Sequence, residues 1–251
     1  MWTGHNQIIL SVHLLKVLAA RGSCCWTPRP LELGVAWSKG GIALKKFITV
    51  VPLQVKGQLE CYHYEAIGND RLFMEEATSF PILTAVQGYV EPGESFQVIA
   101  VVMNSESGRV NLAVLEQQLQ VLAECRGIPC PELVTVEIPD DEAVATHAAT
   151  FRKLIDHLKN DDELFACLTF GTKPLSEAVR MAVQYAYRVK RNVSISCIVY
   201  GQIIRPDDDR SHWFGRVHDE TALLRLDEIV RLLADQGVEN PGAVLDTLLA
   251  L

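Results

Sequence analysis

The sequence lacks the paired cysteines that zinc sites and redox centres use. Its seven cysteines include no Cys-x-x-Cys pair, and none has a histidine at a zinc-ligand spacing. Cys167 and Cys197 lie inside apolar runs, which is typical of buried thiols in a reducing compartment. We therefore expect reduced thiols, no metal site and no cofactor.

The sequence also lacks a long hydrophobic segment and an excess of positive charge. No window reaches the roughly 18 uninterrupted apolar residues that a membrane span needs. The best candidate, 8–20, contains His13 and Lys16 and has neither the basic start nor the cleavage site of a signal peptide. We expect a cytoplasmic protein without membrane contact. The formal net charge of −8 argues against duplex nucleic acid as a partner but permits a small anionic ligand.

From residue 45 onward, apolar strand-like runs alternate with amphipathic helix-like runs. The 251 residues suffice for one sizeable α/β domain with appendages. The predicted core strands are 47–53, 96–103, 133–138, 163–170 and 193–204. This alternation predicts a Rossmann-like α/β fold, with a mainly parallel sheet covered by helices on both faces. Short helical segments are expected at both ends of the chain.

The same pattern divides the chain into three parts. Residues 1–45 form an N-terminal extension of unknown role, and residues 46–218 form the Rossmann-like ligand-binding domain. Residues 219–251 form a C-terminal helical segment, whose last helix begins at Asn240 and Pro241. Asparagine is a favoured helix cap and proline a favoured first helical residue.

One predicted turn combines several groups that suit a phosphate ligand. It lies where the strand ending near Thr169 meets the next helix, and ligands bind at such carboxyl ends in doubly wound sheets. Gly171 lets the backbone approach a ligand, while Thr172 offers a hydroxyl and Lys173 a positive charge. Pro174 suits the first helical turn, whose N–H groups favour anions. The same residues also make an ordinary turn before a helix, so the pattern alone leaves both interpretations open.

The segment from Cys167 to Lys173, Cys-Leu-Thr-Phe-Gly-Thr-Lys, resembles the signature of CARF domains, the sensor modules of type III CRISPR systems. That signature is Asp, an aliphatic residue, Thr or Ser, any residue, Gly, any residue, then Lys or Arg. The resemblance extends at pattern level over residues 45–230. The segments that match in order are the first strand 47–54, an extension through Tyr64, the stretch 78–81 ahead of the first helix, and a last strand ending at 198–201. The family's aspartate is replaced here by Cys167.

The resemblance implies a homodimer that binds a cyclic oligoadenylate across its two-fold axis. Such a sensor acts in antiviral defence and controls an effector domain or a partner protein. The ligand-binding residues that it implies are Gln54, Val55 and Lys56 after the first strand, Thr169, Phe170, Gly171, Thr172 and Lys173 in the signature turn, and Gly201 and Gln202 in a turn after the last core strand.

Two other functions remain open from the sequence. One is a standalone ring nuclease, in which the 2′-OH of the ring attacks the adjacent phosphate and Lys173 acts as the catalytic cation. The other is a Rossmann-like nucleotide-binding regulator unrelated to CRISPR. No effector nuclease motif is found. Arg205 and His212 match the spacing of a HEPN ribonuclease motif, but the residues between them predict a turn rather than a helix.

Overall fold

The fold is organised around a single mixed sheet. The computed structural model describes residues 44–55 and 58–250. The predicted N-terminal extension and its helical segment lie outside the described residues except for Leu44 and Lys45, and so does Lys56 of the predicted ligand loop.

Seven strands form the sheet in this part of the chain. They are β1 (Lys45–Val50), β2 (Tyr64–Ile67), β3 (Phe96–Met103), β4 (Glu132–Ile138), β5 (Glu163–Cys167), β6 (Ser194–Ile204) and β7 (Phe214–Asp219). Their order is β2-β7-β6-β5-β1-β3-β4. The five strands from β6 to β4 run parallel, β7 is antiparallel to β6, and β2 is parallel to β7.

Helices cover both faces of the sheet, so the predicted Rossmann-like α/β class is confirmed. The described α-helices are α1 (Ile82–Tyr89), α2 (Glu106–Arg126), α3 (Val144–His157), α4 (Lys173–Val189), α5 (Thr221–Asp235) and α6 (Pro241–Leu249). Helices α1 and α2 contribute to one hydrophobic core, and α3, α4 and α5 contribute to the other. None of these helices is both long and apolar enough to cross a bilayer.

The central strands separate the two cores because neighbouring side chains of a strand point to opposite faces. On β1, Phe47 packs in the first core, stacked on Phe165 of β5 with ring centroids 4.4 Å apart. The next residue, Ile48, packs in the second core. All eight residues of β3 are buried, as expected for a parallel strand covered on both faces.

The strand order places a topological switch point between β1 and β5. From β1 the chain first passes to β2 at the far edge, returns to β3 and β4 on the other side of β1, and then continues to β5 and β6. The helices that lead into β3 and β6 lie on opposite faces of the sheet, α1 in one core and α4 in the other, and this leaves a crevice at the carboxyl ends of β1 and β5. In open α/β sheets this crevice is the usual ligand site.

The structure corrects three of the predicted boundaries. Strand β1 covers Lys45–Val50 rather than 47–53, and β5 ends at Cys167 rather than at residue 170, so Thr169 already belongs to the turn. The predicted turn at Gly201 and Gln202 is wrong, because both residues lie inside β6. That strand continues because β7 pairs antiparallel with its last six residues.

Strand β7 was not predicted from the sequence pattern. It is short, and only alternate residues are buried, as in Gly215 and Val217. It also carries Arg216 and His218, so it forms no continuous apolar run. The C-terminal helical segments are confirmed as α5 and α6, and Leu224 of α5 belongs to the second core.

Candidate functional site

Two neighbouring cavities open at the carboxyl edge of the sheet. The first, of about 360 Å³, lies at the switch point, and we call it the switch-point cavity. It is lined by Val50, Val51, Pro52, Leu53, Gln54, Met103, Thr169, Phe170, Gly171, Thr172 and Leu175. The second, of about 490 Å³, borders the connection between β6 and β7, and we call it the loop cavity. The two cavities share Gln54, Thr169 and Phe170.

Gly171 lets the turn after β5 pass close to the end of β1. Its φ of +93° lies in a region that favours glycine. A Cβ at this position would lie 3.1 Å from Cγ1 of Val50 and 3.2 Å from Cδ2 of Leu175. The backbone conformation and the close packing therefore both favour glycine here.

Thr169 fixes the start of the same turn to the neighbouring strand. Its hydroxyl accepts a hydrogen bond from the N–H of Gly201 at 2.7 Å and lies 3.1 Å from the Cys167 thiol. Cys167 is 1 % exposed, and this burial raises the pKa of its thiol. The position that the CARF signature assigns to aspartate therefore holds a neutral group here, which contacts the turn without bringing a charge to it.

Thr172 and Lys173 begin helix α4 in different environments. The Thr172 hydroxyl is buried beside the switch-point cavity and has no hydrogen-bond partner among the described residues. Buried hydroxyls are usually paired, so this one would gain from a hydrogen-bond partner that a bound molecule could supply. Lys173 is exposed, lines neither cavity and forms no ion pair with any described residue. Its ammonium group can therefore contact only the part of a ligand that extends out of the cavities.

Asn111 of α2 holds the loop that follows β1. Its side chain is 1 % exposed, and its amide donates to the carbonyl oxygens of Pro52 at 2.8 Å and Gln54 at 2.9 Å. Gln54 is thereby placed where it lines both cavities. Val55 is exposed and lines neither of them. The structure thus brings Gln54 together with the turn after β5, but not Val55.

Gly201 and Gln202 do not line either cavity. The N–H of Gly201 is already bonded to Thr169, and a Cβ at Gly201 would lie only 2.4 Å from Cγ of Pro81. Gly201 therefore serves the packing of the strand against the segment that precedes α1. Gln202 is exposed and pairs with Arg216 in the ladder between β6 and β7.

Most of the wall of the loop cavity was not predicted from the sequence. On one side Glu60 accepts hydrogen bonds from Arg210 at 2.8 Å and from the Tyr62 hydroxyl at 2.5 Å. The guanidinium carbons of Arg205 and Arg210 lie 4.8 Å and 5.4 Å from the centre of the Trp213 ring. The sequence signal for this wall is an aromatic residue, Trp213, close to two arginines, Arg205 and Arg210.

Arg205 and His212 do not lie on a helix of the kind that a HEPN motif requires. Arg205 follows directly after β6, and His212 ends the short 3-10 helix Arg210–His212 in the same connection. The predicted turn between them is confirmed. His212 contacts Asp207, with its Nδ1 2.8 Å from a carboxylate oxygen, at an exposed position.

The crevice thus offers backbone, hydroxyl and cationic groups that suit a phosphorylated ligand. Within residues 44–55 and 58–250, no group of three His, Cys, Asp or Glu side chains is arranged to hold a metal ion. No protein-family model matches the chain, and a search of curated proteins finds no significant match.

Proposed function

We propose that this protein is a sensor of cyclic oligoadenylate that acts as a homodimer in type III CRISPR antiviral defence. The observation that carries the proposal is the position of the CARF-like turn. Thr169, Phe170, Gly171 and Thr172 lie at the carboxyl edge of the sheet, opposite the loop after β1, and line a cavity at the topological switch point. This is the place where a Rossmann-like sheet binds nucleotides.

The chemistry of the turn fits the phosphates of such a ligand. The first turn of α4 presents main-chain N–H groups and the positive end of the helix dipole. Pro174 stands within that turn, where a missing N–H costs no helical hydrogen bond. The Thr172 hydroxyl, which has no partner among the described residues, adds a donor, and exposed Lys173 supplies a positive charge at the rim.

Homodimer formation follows from the symmetry of the proposed ligand. A ring of identical nucleotides matches a two-fold axis, and closed dimers are the commonest oligomers of soluble proteins. An exposed rim residue such as Lys173 suits a ring that extends from one subunit to its copy. Binding would then alter the contact between the subunits, which is how a sensor can control an effector domain or a partner protein.

The test is equilibrium binding of labelled cyclic tri-, tetra- and hexa-adenylate to the purified chain, with chromatography of the ligand after incubation. We expect one of the rings to bind and to be recovered intact from a protein dimer. Recovery of linear products would replace the sensor by a ring nuclease. If none of the rings binds, the proposed function is wrong, and a nucleotide-binding regulator unrelated to CRISPR becomes the better hypothesis.

A further inference from the structure

The loop cavity has a chemical character that the proposed turn does not explain. It is the larger of the two cavities, at about 490 Å³, and it adjoins the turn through Thr169 and Phe170. Its remaining wall comes mainly from the segment before β2 and from the connection between β6 and β7, two regions that meet only in the folded protein. The ion pair between Glu60 and Arg210 joins these regions.

Two arginines line this wall, and Arg205 is the one without a carboxylate partner among the described residues. Arg210 is neutralised by Glu60 at 2.8 Å. The hydrogen bonds from Tyr62 and Arg210, together with the nearby charges of Arg210 and Arg205, hold the pKa of Glu60 below its usual range, so its carboxylate stays ionised at neutral pH. Arg205 lies near enough to Glu60 to contribute to this effect, but it forms no direct ion pair with any residue that the structure describes, and its guanidinium lies over the Trp213 ring.

The aspartates that follow Arg205 do not offset its charge inside the cavity. Asp207 is in contact with His212, and Asp209 accepts hydrogen bonds from Ser211 in the 3-10 helix. None of the three consecutive aspartates lines the cavity. The lining residues therefore keep one uncompensated positive charge in a chain whose formal net charge is −8.

Trp213 and Tyr62 give the same wall an aromatic surface. The Trp213 indole is half-buried, and its N–H donates to the backbone carbonyl of Asp207 at 3.0 Å, which fixes the orientation of the ring. An arginine beside a fixed aromatic ring is suited to a phosphate joined to a flat base, because the guanidinium pairs with the phosphate and the aromatic face receives the base.

We infer that the loop cavity is a nucleotide subsite, in which Arg205 contacts a phosphate and Trp213 contacts a base of the ligand bound at the turn. This inference rests on the proposed function and extends it to the connection between β6 and β7. Of the two arginines in the loop cavity wall, Arg205 is the one that contacts the ligand phosphate. Lys173, by comparison, lies outside both cavities.

The test compares the affinity of Arg205→Ala with that of the unmodified protein for the cyclic oligoadenylate that the latter binds. We expect binding to weaken roughly tenfold, as for the loss of one charge-assisted hydrogen bond at an exposed site. Arg205→Lys should recover part of the affinity, because the charge remains and the planar fork is lost. Trp213→Ala should also weaken binding.

The matched control is Arg152→Ala, which removes another exposed arginine, on α3, whose partner is Asp156. Its affinity should equal that of the unmodified protein. Urea unfolding should give nearly the same stability for Arg205→Ala and the unmodified protein, because the Arg205 side chain is exposed and forms no hydrogen bond or ion pair with a described residue. If the unmodified protein binds a ring and Arg205→Ala binds it equally well, the subsite is wrong and the sensor proposal stands. If the unmodified protein binds none of the rings, both proposals fail.

Discussion

The turn after β5 and the connection between β6 and β7 approach the same crevice, yet they are built in different ways. The turn is held by its backbone and by buried contacts, through Gly171 against Val50 and through Thr169 bonded to Gly201. The connection carries exposed side chains, Arg205 and Arg210, on a loop with a short 3-10 helix. The crevice therefore combines a rigid half, coupled to folding, and a half whose side chains are free of the core.

This difference gives a rule for substitutions. A change in the rigid half should lower both stability and ligand affinity, because the same contacts hold the fold and shape the site. A change in the loop cavity wall should lower affinity alone.

Asn111→Leu should have the largest effect, because it leaves two backbone carbonyls of the loop after β1 without a donor. An unsatisfied buried polar group costs about 1–3 kcal/mol, so we expect the unfolding free energy to fall by about 3 kcal/mol. Urea denaturation measures the loss. Ligand affinity should fall as well, because Gln54 is no longer held at the two cavities.

Gln120→Leu is the matched control on the same helix. Gln120 is exposed and bonds only to Glu124 among the described residues, so its replacement should leave stability and affinity nearly unchanged. Equal stability of the two variants would show that Asn111 does not hold the loop. Normal affinity in a destabilised Asn111→Leu would break the proposed link between the loop and the ligand.

Gly171→Ala should have the next largest effect, because it meets both backbone strain and close neighbours. A non-glycine residue at positive φ costs about 1–3 kcal/mol, and we expect a loss of about 2 kcal/mol in the unfolding free energy. Gly93→Ala is the control for the strain alone. Its φ is +82°, but no atom lies within 4 Å of the added Cβ.

The difference between these two glycine variants isolates the contact with Val50 and Leu175. Gly171→Ala should lose ligand affinity, whereas Gly93→Ala should keep it, because Gly93 lines neither cavity. If both variants are destabilised equally and both bind normally, the close approach of the turn to β1 does not shape the ligand site.

The rigid half of the site is also the half that the sequence could predict. The apolar runs at 47–53 and 96–103 place strands, and a glycine with flanking threonines and a proline before a helix marks the turn after β5. These signals are local, because the conformation of a strand or a turn depends strongly on its neighbouring residues. The proposed ligand could not be derived from them; it is implied only by the resemblance of the turn.

The rest of the site depends on contacts between residues far apart in the chain, which local sequence patterns do not predict. Glu60 and Arg210, which pair across the loop cavity, are 150 residues apart in the chain. Asn111 lies on a helix where nothing in the sequence marks it as bound to the loop after β1, 57 and 59 residues earlier. Strand β7 is also formed by pairing with β6 and β2 rather than by its own apolar pattern.

Lys173→Ala should have the smallest effect of the turn variants, and it tests the boundary between the two halves. Lys173 belongs to the turn in sequence, but it is exposed and lines neither cavity. We expect unchanged stability and a loss of about 1.5 kcal/mol in binding free energy, a little more than tenfold in the dissociation constant. The measurement is a titration with the ring that the unmodified protein binds.

The double variant of Lys173 and Arg205 decides whether these cations act separately. Lys173 lies at the rim beside α4 and Arg205 in the loop cavity wall, with no partner in common among the described residues. If each binds a different phosphate, the losses in binding free energy add within about 0.5 kcal/mol. A double variant no weaker than the poorer single variant would mean that both cations hold the same phosphate. The two halves of the crevice would then form one binding point, because removing either cation would already abolish what the other contributes.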